Sequence, residues 1–229
     1  MTITSDRITA AAGVAAAAAG TIYLAVQVNH PPADVEHIVT TEMFVRETLK
    51  AVMAALAIAG FTGMLVRNRH RFGVLGVAGY VLLSIGYLAM FAIQCIVGYV
   101  LPTVAETDPS YVQDYLDAAL GGSPQGDIGH MQELFLVAGI GYALGGLLFG
   151  IALFRAGILA RWASLLLAYG TTSALALSAL PESFNRPFAV PVGVALVGLG
   201  VSLWRNRRYD TSTATTTGSS RSVPEPAVR

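Results

Sequence analysis

Three glutamates are placed where a carboxyl group could transfer a proton to a lipophilic substrate: Glu47, Glu133 and Glu182. Each falls at the predicted end of an apolar segment. Removal from water favours the neutral form of a carboxyl group, which can then act as a general acid. Glu47 is the strongest candidate, because the small residues Ala51 and Ala54 follow it on one helix face. We therefore predict Glu47 as the catalytic acid, with the other two as alternatives.

Basic residues close to these acids offer a competing interpretation. Glu42 and Arg46 are four residues apart, and Glu47 and Lys50 are three apart, so both pairs can form on one helix. An ammonium beside Glu47 would favour its ionised form, and thus a salt bridge over a proton donor. Lys50 could instead extend outward to the membrane interface. A solvated rim of paired charges therefore stays open as an alternative to a catalytic site.

A stripe of aromatic and polar residues follows in the third apolar segment, formed by Tyr80, Ser84, Tyr87, Phe91 and Gln94. A step of seven residues rotates a helix face by only about 20°, so the stripe is narrow, and polar groups avoid lipid. It could form hydrogen bonds between helices or line a ligand cavity, where aromatic faces would stabilise a carbocation. The predicted substrate-binding residues are Tyr80, Tyr87, Phe91, Gln94, His130 and Arg186.

Metal and cofactor chemistry has little support in the sequence. The four histidines include no pair at metal-ligand spacing on one helix, although His30, His130 and Glu133 could together hold a metal. No two histidines fall within the apolar segments, which disfavours bis-histidine haem. The single cysteine, Cys95, excludes an intramolecular disulfide and a thiolate cage. We expect neither a metal nor a cofactor.

The segments that must position these residues are those of a membrane protein. Of 229 residues, 54% are apolar and 12% charged, against roughly 25% charged in soluble domains. The sequence predicts an all-α, polytopic membrane helix bundle of about six transmembrane helices, with one short external amphipathic helix. We expect a transmembrane domain over 1–208 and a disordered cytoplasmic tail over 209–229. The apolar blocks are 9–28, 45–66, 73–101, 133–154, 157–180 and 188–204.

Arginines lie at every second boundary of these blocks. All but Arg46, Lys50 and Arg186 of the 14 basic residues fall on one predicted side. Basic residues concentrate in cytoplasmic loops, so we expect a multi-pass protein of the cell membrane with both termini in the cytoplasm. The first block could be a signal peptide, but no clean cleavage site follows it, and we expect a retained helix.

The long external loop, 102–132, contains the predicted amphipathic helix. Asp108 and Pro109 are typical of a helix start, and Gly121 with Gly122 of a helix end. One apolar face lies between them, so this helix should lie on the membrane surface or cover the mouth of the bundle.

A run of glycines predicts close helix packing in the fourth block. Two pairs of glycines are each four residues apart, Gly141 with Gly145 and Gly146 with Gly150. They indicate an interface, within the chain or in a homo-oligomer that uses the Gly141–Gly150 face. Over 145–162 the chain resembles small multi-pass actinobacterial membrane proteins, a group without a general assigned activity. In size and acid-bearing, polytopic character it is also similar to integral membrane terpene cyclases, which implies acid-initiated cyclisation.

Three functions are consistent with this pattern. The first is an integral membrane enzyme that acts on a lipophilic, prenylated or terpenoid substrate, with acid-initiated cyclisation as its most concrete form. The second is a small transporter, exporter or self-protection protein without catalysis. The third is an assembly partner that uses the glycine face. The expected partners are the lipid bilayer and a small lipophilic molecule, and no nucleic acid.

Overall fold

A computed structural model describes residues 5–175 and 185–206 of the chain. These residues form a bundle of helices. No strand occurs within these residues, which confirms the predicted all-α class. Among the described residues, five helical segments are long and apolar enough to cross a membrane: Asp6–Ala25, Thr41–Arg67, Arg69–Tyr99, Met131–Ala156 and Ala189–Asn206. The helices are α1 (Ser5–Ala25), α2 (Val35–Ile38), α3 (Thr41–Tyr99), α4 (Leu101–Ala105), α5 (Pro109–Ala119), α6 (Met131–Ala156), α7 (Arg161–Ser173) and α8 (Asn185–Asn206).

The helix in the fifth predicted block, 157–180, begins later than the apolar composition of the block indicates. Gly157 has a left-handed φ of 65° and ends α6, so helix α7 begins only at Arg161. The end of this block lies outside the described residues, and so does the predicted tail.

The second and third predicted spans are two arms of one long helical hairpin, α3. The sequence predicts a basic loop over 67–71, but helical hydrogen bonding continues through it, and only Gly73 has non-helical angles (φ 57°, ψ −164°). Glycine suits this site because a side chain at positive φ would be strained. The antiparallel arms meet where Thr62 and Tyr80 share a 2.8 Å hydrogen bond.

The glycines of α6 allow close approach on two sides. Gly141 and Gly145 contact the second arm of α3 at its backbone, while Gly146 and Gly150 contact α7. All four are buried within the chain. The predicted use of these glycines as a packing face inside the chain is confirmed, whereas self-association through the same face stays a prediction.

The bundle has two different ends. Gly13 of α1 packs against Gly200 and Trp204 of α8, and this contact lies at the end that carries Arg7 and Arg205. We call it the basic end. The opposite end, with α2 and α5, is the mouth end.

Helix α5 covers the mouth end, as its sequence predicts. Asp108 caps the helix by accepting a 3.0 Å hydrogen bond from Tyr111 N, and Pro109 is its first residue. Gly121, with φ 88°, follows the last turn. The apolar face of α5 is buried in a cluster with Ile38, Met43, Val97 and Leu101. Helix α5 is therefore a cover that closes over the arms of α3.

Candidate functional site

A cavity of about 300 Å³ lies beneath the α5 cover. The two arms of α3, the 30–38 segment, α5 and α6 supply its walls. This volume is at the lower end of the range of small-molecule sites. The side chains around it are His30, Ala33, Ile38, Met43, Glu47, Lys50, Ile93, Gln94, Val97, Leu116, Ala119, Phe135 and Ala138.

Glu47 is the most buried charged residue on this wall. Its side chain is 3% exposed, and its Oε1 accepts a 2.6 Å hydrogen bond from Lys50 Nζ. The other carboxylate oxygen, Oε2, is buried and has no hydrogen-bond partner within the described residues. A buried carboxylate oxygen without a partner is costly, so the site is suited to a group that donates a hydrogen bond.

His30 lies beside Glu47 at the rim of the cavity. Its Nδ1 is 2.7 Å from the Pro31 carbonyl oxygen, which can only accept, so Nδ1 carries the proton. Nε2 then lies 3.9 Å from Glu47 Oε1, and the His30 side chain is 7% exposed. A second proton on the ring would make this contact an ion pair.

Arg46 fixes the chain segment that carries His30. Its guanidinium donates hydrogen bonds of 3.0 to 3.1 Å to the carbonyls of Val26, Val28 and Asn29, just after α1. It also binds Glu42 at 2.7 Å, which confirms the predicted pair. The rigid fork of arginine suits this multiple contact. Arg46 is therefore a structural clamp rather than a rim charge.

Tyr115 of α5 is a second buried polar group at the mouth end. Its hydroxyl is buried without a hydrogen-bond partner in the described chain, and its ring packs edge-on against Phe135 at 5.2 Å. Burial raises the pKa of Tyr115 well above its usual value, and the charges of Tyr111 and Glu47 add to this. Tyr115 is thus a neutral phenol that can donate or accept.

The structure brings only part of the predicted site together. Gln94 lines the cavity with Glu47. Glu133 is 67% exposed and pairs with His130 at 3.5 Å, with His130 98% exposed; neither lines the cavity. Glu182 lies outside the described residues, as does the side chain of Arg186.

The predicted aromatic wall lies mostly in the core, deeper than the cavity. Tyr87 is fully buried and packs against Phe61 at 5.4 Å and Tyr142 at 5.7 Å. Tyr80 is bonded to Thr62, whereas Phe91 is 38% exposed. Tyr80 therefore links the two arms of α3 by a hydrogen bond. Of the predicted stripe, only Gln94 lines the cavity, and the other wall residues lie outside the stripe.

The residues weighed for metal binding do not meet. His30 lies at the cavity while His130 is at the surface, and the described residues contain no group of three or more His, Cys, Asp or Glu side chains suited to a metal.

His30 and Lys50 line the cavity, although the predicted site did not include them. The sequence indicates His30 only as a possible metal ligand, and Lys50 only as an ion-pair partner or a residue that extends to the membrane interface. Comparison of the chain with protein-family models, curated proteins and solved structures found no match.

Proposed function

We propose that this membrane protein binds a small lipophilic molecule in the cavity at its mouth end, and that Glu47 contacts the polar head group of that molecule. The observation that carries the proposal is the buried Oε2 of Glu47, which has no partner among the described residues, in a side chain that lines a mostly apolar cavity. Pockets of this kind, mostly apolar with a few convergent polar groups, are typical of ligand sites.

Catalysis is the narrower form of this proposal. A buried carboxylate beside a charged partner in a cleft is typical of functional sites. Glu47 would be the catalytic residue of an enzyme acting on a lipophilic molecule, with acid-initiated cyclisation as the most specific reaction. Its 2.6 Å contact with Lys50 would have to open before Glu47 could carry the proton that acid-initiated cyclisation needs.

Transport is the second candidate, and the packing below the cavity disfavours it. The rings of Phe61, Phe149 and Tyr87 are fully buried and in contact, with centroids 5.4 to 5.6 Å apart. They fill the bundle about three to four helical turns from Glu47, at the 3.6 residues per turn of an α-helix. An exporter would have to rearrange this aromatic core.

We also propose that the basic end faces the cytoplasm and that the protein resides in the cell membrane. The positions of the arginines support this orientation, because basic residues concentrate on the cytoplasmic side. The cavity would then open toward the outer leaflet or the exterior.

Photolabelling tests the binding proposal. A diazirine-bearing octanol loses N₂ on illumination, and its carbene inserts into neighbouring bonds. In detergent-purified protein we expect saturable labelling of cavity residues, reduced by excess octan-1-ol. Ala138→Trp, which fills the cavity, should abolish this labelling. Leu136→Trp on the same helix should not, because Leu136 is 61% exposed. Labelling confined to exposed residues would contradict a ligand site.

A further inference from the structure

We infer that the cavity selects molecules whose head group is an uncharged hydroxyl, an alcohol or a phenol. This inference rests on the proposed function and narrows it to one class of ligand. It follows from the hydrogen-bonding capacity and the charge of the groups that line the cavity.

The hydrogen-bonding argument concerns Glu47 Oε2. An ionised carboxylate only accepts hydrogen bonds, and Lys50 binds the other oxygen, Oε1. Oε2 is buried without a partner among the described residues, and the Glu47 side chain lines the cavity. A donating head group that draws Oε2 toward the cavity therefore gains a hydrogen bond that no other kind of head group can make. Ethers, ketones and esters of the same size would leave that oxygen unsatisfied.

The charge argument concerns the three ionisable side chains that line the cavity. Glu47 and Lys50 form a pair 2.6 Å apart and cancel each other's charge, and His30 lies 3.9 Å from the same carboxylate. An ammonium head group would add a positive charge beside Lys50, and a carboxylate would add a negative charge beside Glu47. An uncompensated buried charge is strongly unfavourable. A hydroxyl adds no charge.

The remaining walls fit the rest of such a molecule. Gln94 lines the cavity from the opposite arm of α3, and its amide could donate to the oxygen of a hydroxyl that itself donates to Glu47. Ile93, Val97 and Phe135 provide an apolar surface for a short hydrocarbon chain. A hydroxyl is the smallest neutral head group that can make both hydrogen bonds.

Competition for photolabelling tests this inference with four competitors of equal chain length. They are octan-1-ol, 1-methoxyoctane, octylammonium and octanoate, compared at equal mole fraction in the micelle. Octan-1-ol should protect the cavity from the diazirine-bearing octanol about tenfold better than 1-methoxyoctane, the ratio equivalent to about 1.4 kcal/mol. In Glu47→Leu the advantage of the alcohol over the ether should disappear, whereas Glu133→Leu should keep it, since Glu133 lies outside the cavity.

The outcomes separate this inference from the proposed function. Equal protection by the alcohol and the ether in the native protein would overturn the hydroxyl preference and leave the cavity as a binding site. Strongest protection by octylammonium or octanoate would likewise overturn it in favour of a charged ligand. A complete absence of cavity labelling would instead refute the proposed function. Because the native protein carries the comparison, the test holds even if Glu47→Leu does not fold.

Discussion

Gly98 faces Glu47 across the two arms of α3, so closely that a Cβ atom at position 98 would lie 3.1 Å from the Cβ of Glu47. Carbon atoms prefer separations of about 3.5–4.0 Å. Because glycine has no side chain, position 98 leaves the space that Glu47 occupies beside the cavity.

Gly98→Ala should displace Glu47 by a few tenths of an ångström and weaken the labelling of the cavity several-fold. The melting temperature should change little, because alanine gains up to about 1 kcal/mol of helix propensity over glycine, which offsets the crowding. Photolabelling and thermal unfolding of the same sample measure both effects. Gly139→Ala is the matched control, since a Cβ there meets nothing within 4 Å. If Gly98→Ala is labelled as strongly as the native protein, the exact position of Glu47 does not determine binding in the cavity.

Arg46→Ala should lower the free energy of unfolding by about 2 kcal/mol, because hydrogen bonds to a charged group contribute about 1.5–3 kcal/mol. The substitution releases the carbonyls of Val26, Val28 and Asn29 that the guanidinium holds together. Thermal unfolding in detergent measures the change.

Glu42→Ala controls for loss of the salt bridge alone. The Glu42 side chain is 57% exposed, and exposed pairs contribute at most about 1 kcal/mol. If both variants lose the same free energy of unfolding, the hydrogen bonds from Arg46 to the carbonyls after α1 do not contribute to stability.

Gly145→Leu and Gly146→Leu should each destabilise the bundle strongly. A Cβ at position 145 would collide with the backbone of Leu83, and one at position 146 with the side chain of Thr171. Small residues are required where helix backbones approach closely. Gly139→Leu on the same helix meets open space and should leave the melting profile unchanged. A native melting profile in either of the first two variants would contradict the packing.

Local chemistry made the helix ends and the ion pairs predictable. The cap of α5 at Asp108 depends on neighbouring residues, and the Glu42–Arg46 and Glu47–Lys50 pairs depend only on helical spacing. Apolar block length likewise predicted the five described segments that are long and apolar enough to cross a membrane, whereas the fifth predicted block, 157–180, lies partly outside the described residues.

Long-range contacts could not be predicted in this way. Arg46 reaches carbonyls 17 to 20 residues away, and Leu116 lines the same cavity as Glu47 only because α5 folds over the mouth. The turn at Gly73 was also missed, since arginines at 67–71 resemble a loop in composition while the backbone there stays helical. Such contacts depend on tertiary packing, which single-sequence periodicity does not encode.

A reporter that is active only in the cytoplasm should work when fused after Arg71 or Arg161 and fail after Asp117. The positive-inside rule gives this orientation, and α5 with Asp117 lies at the mouth end, opposite the basic end. A third fusion after Arg208, beyond the described residues, should also be active. Reporter activity after Asp117 would reverse or refute the proposed topology.

Lys50→Met should destabilise the protein more than Glu47→Gln. The Lys50 side chain is 18% exposed and that of Glu47 only 3%, so a lone ammonium can extend to water while a lone carboxylate cannot. Breaking a buried pair by removing one partner costs about 3–5 kcal/mol, and Lys50→Met should approach that range. Glu47→Gln should lose less, measured as thermal unfolding of both proteins in detergent.

The double variant Glu47→Leu/Lys50→Met separates stability from binding. It leaves no unpaired charge, so its melting temperature should return close to that of the native protein, since neutral replacement of a buried pair is often tolerated. It should still lose the preference of the cavity for octan-1-ol over 1-methoxyoctane, because the ionised acceptor is gone. Glu133→Gln, a change at a carboxylate that is 67% exposed, should alter neither property. If the double variant regained both stability and alcohol preference, Glu47 would be only half of a structural ion pair, and the site would have to be sought elsewhere in the bundle.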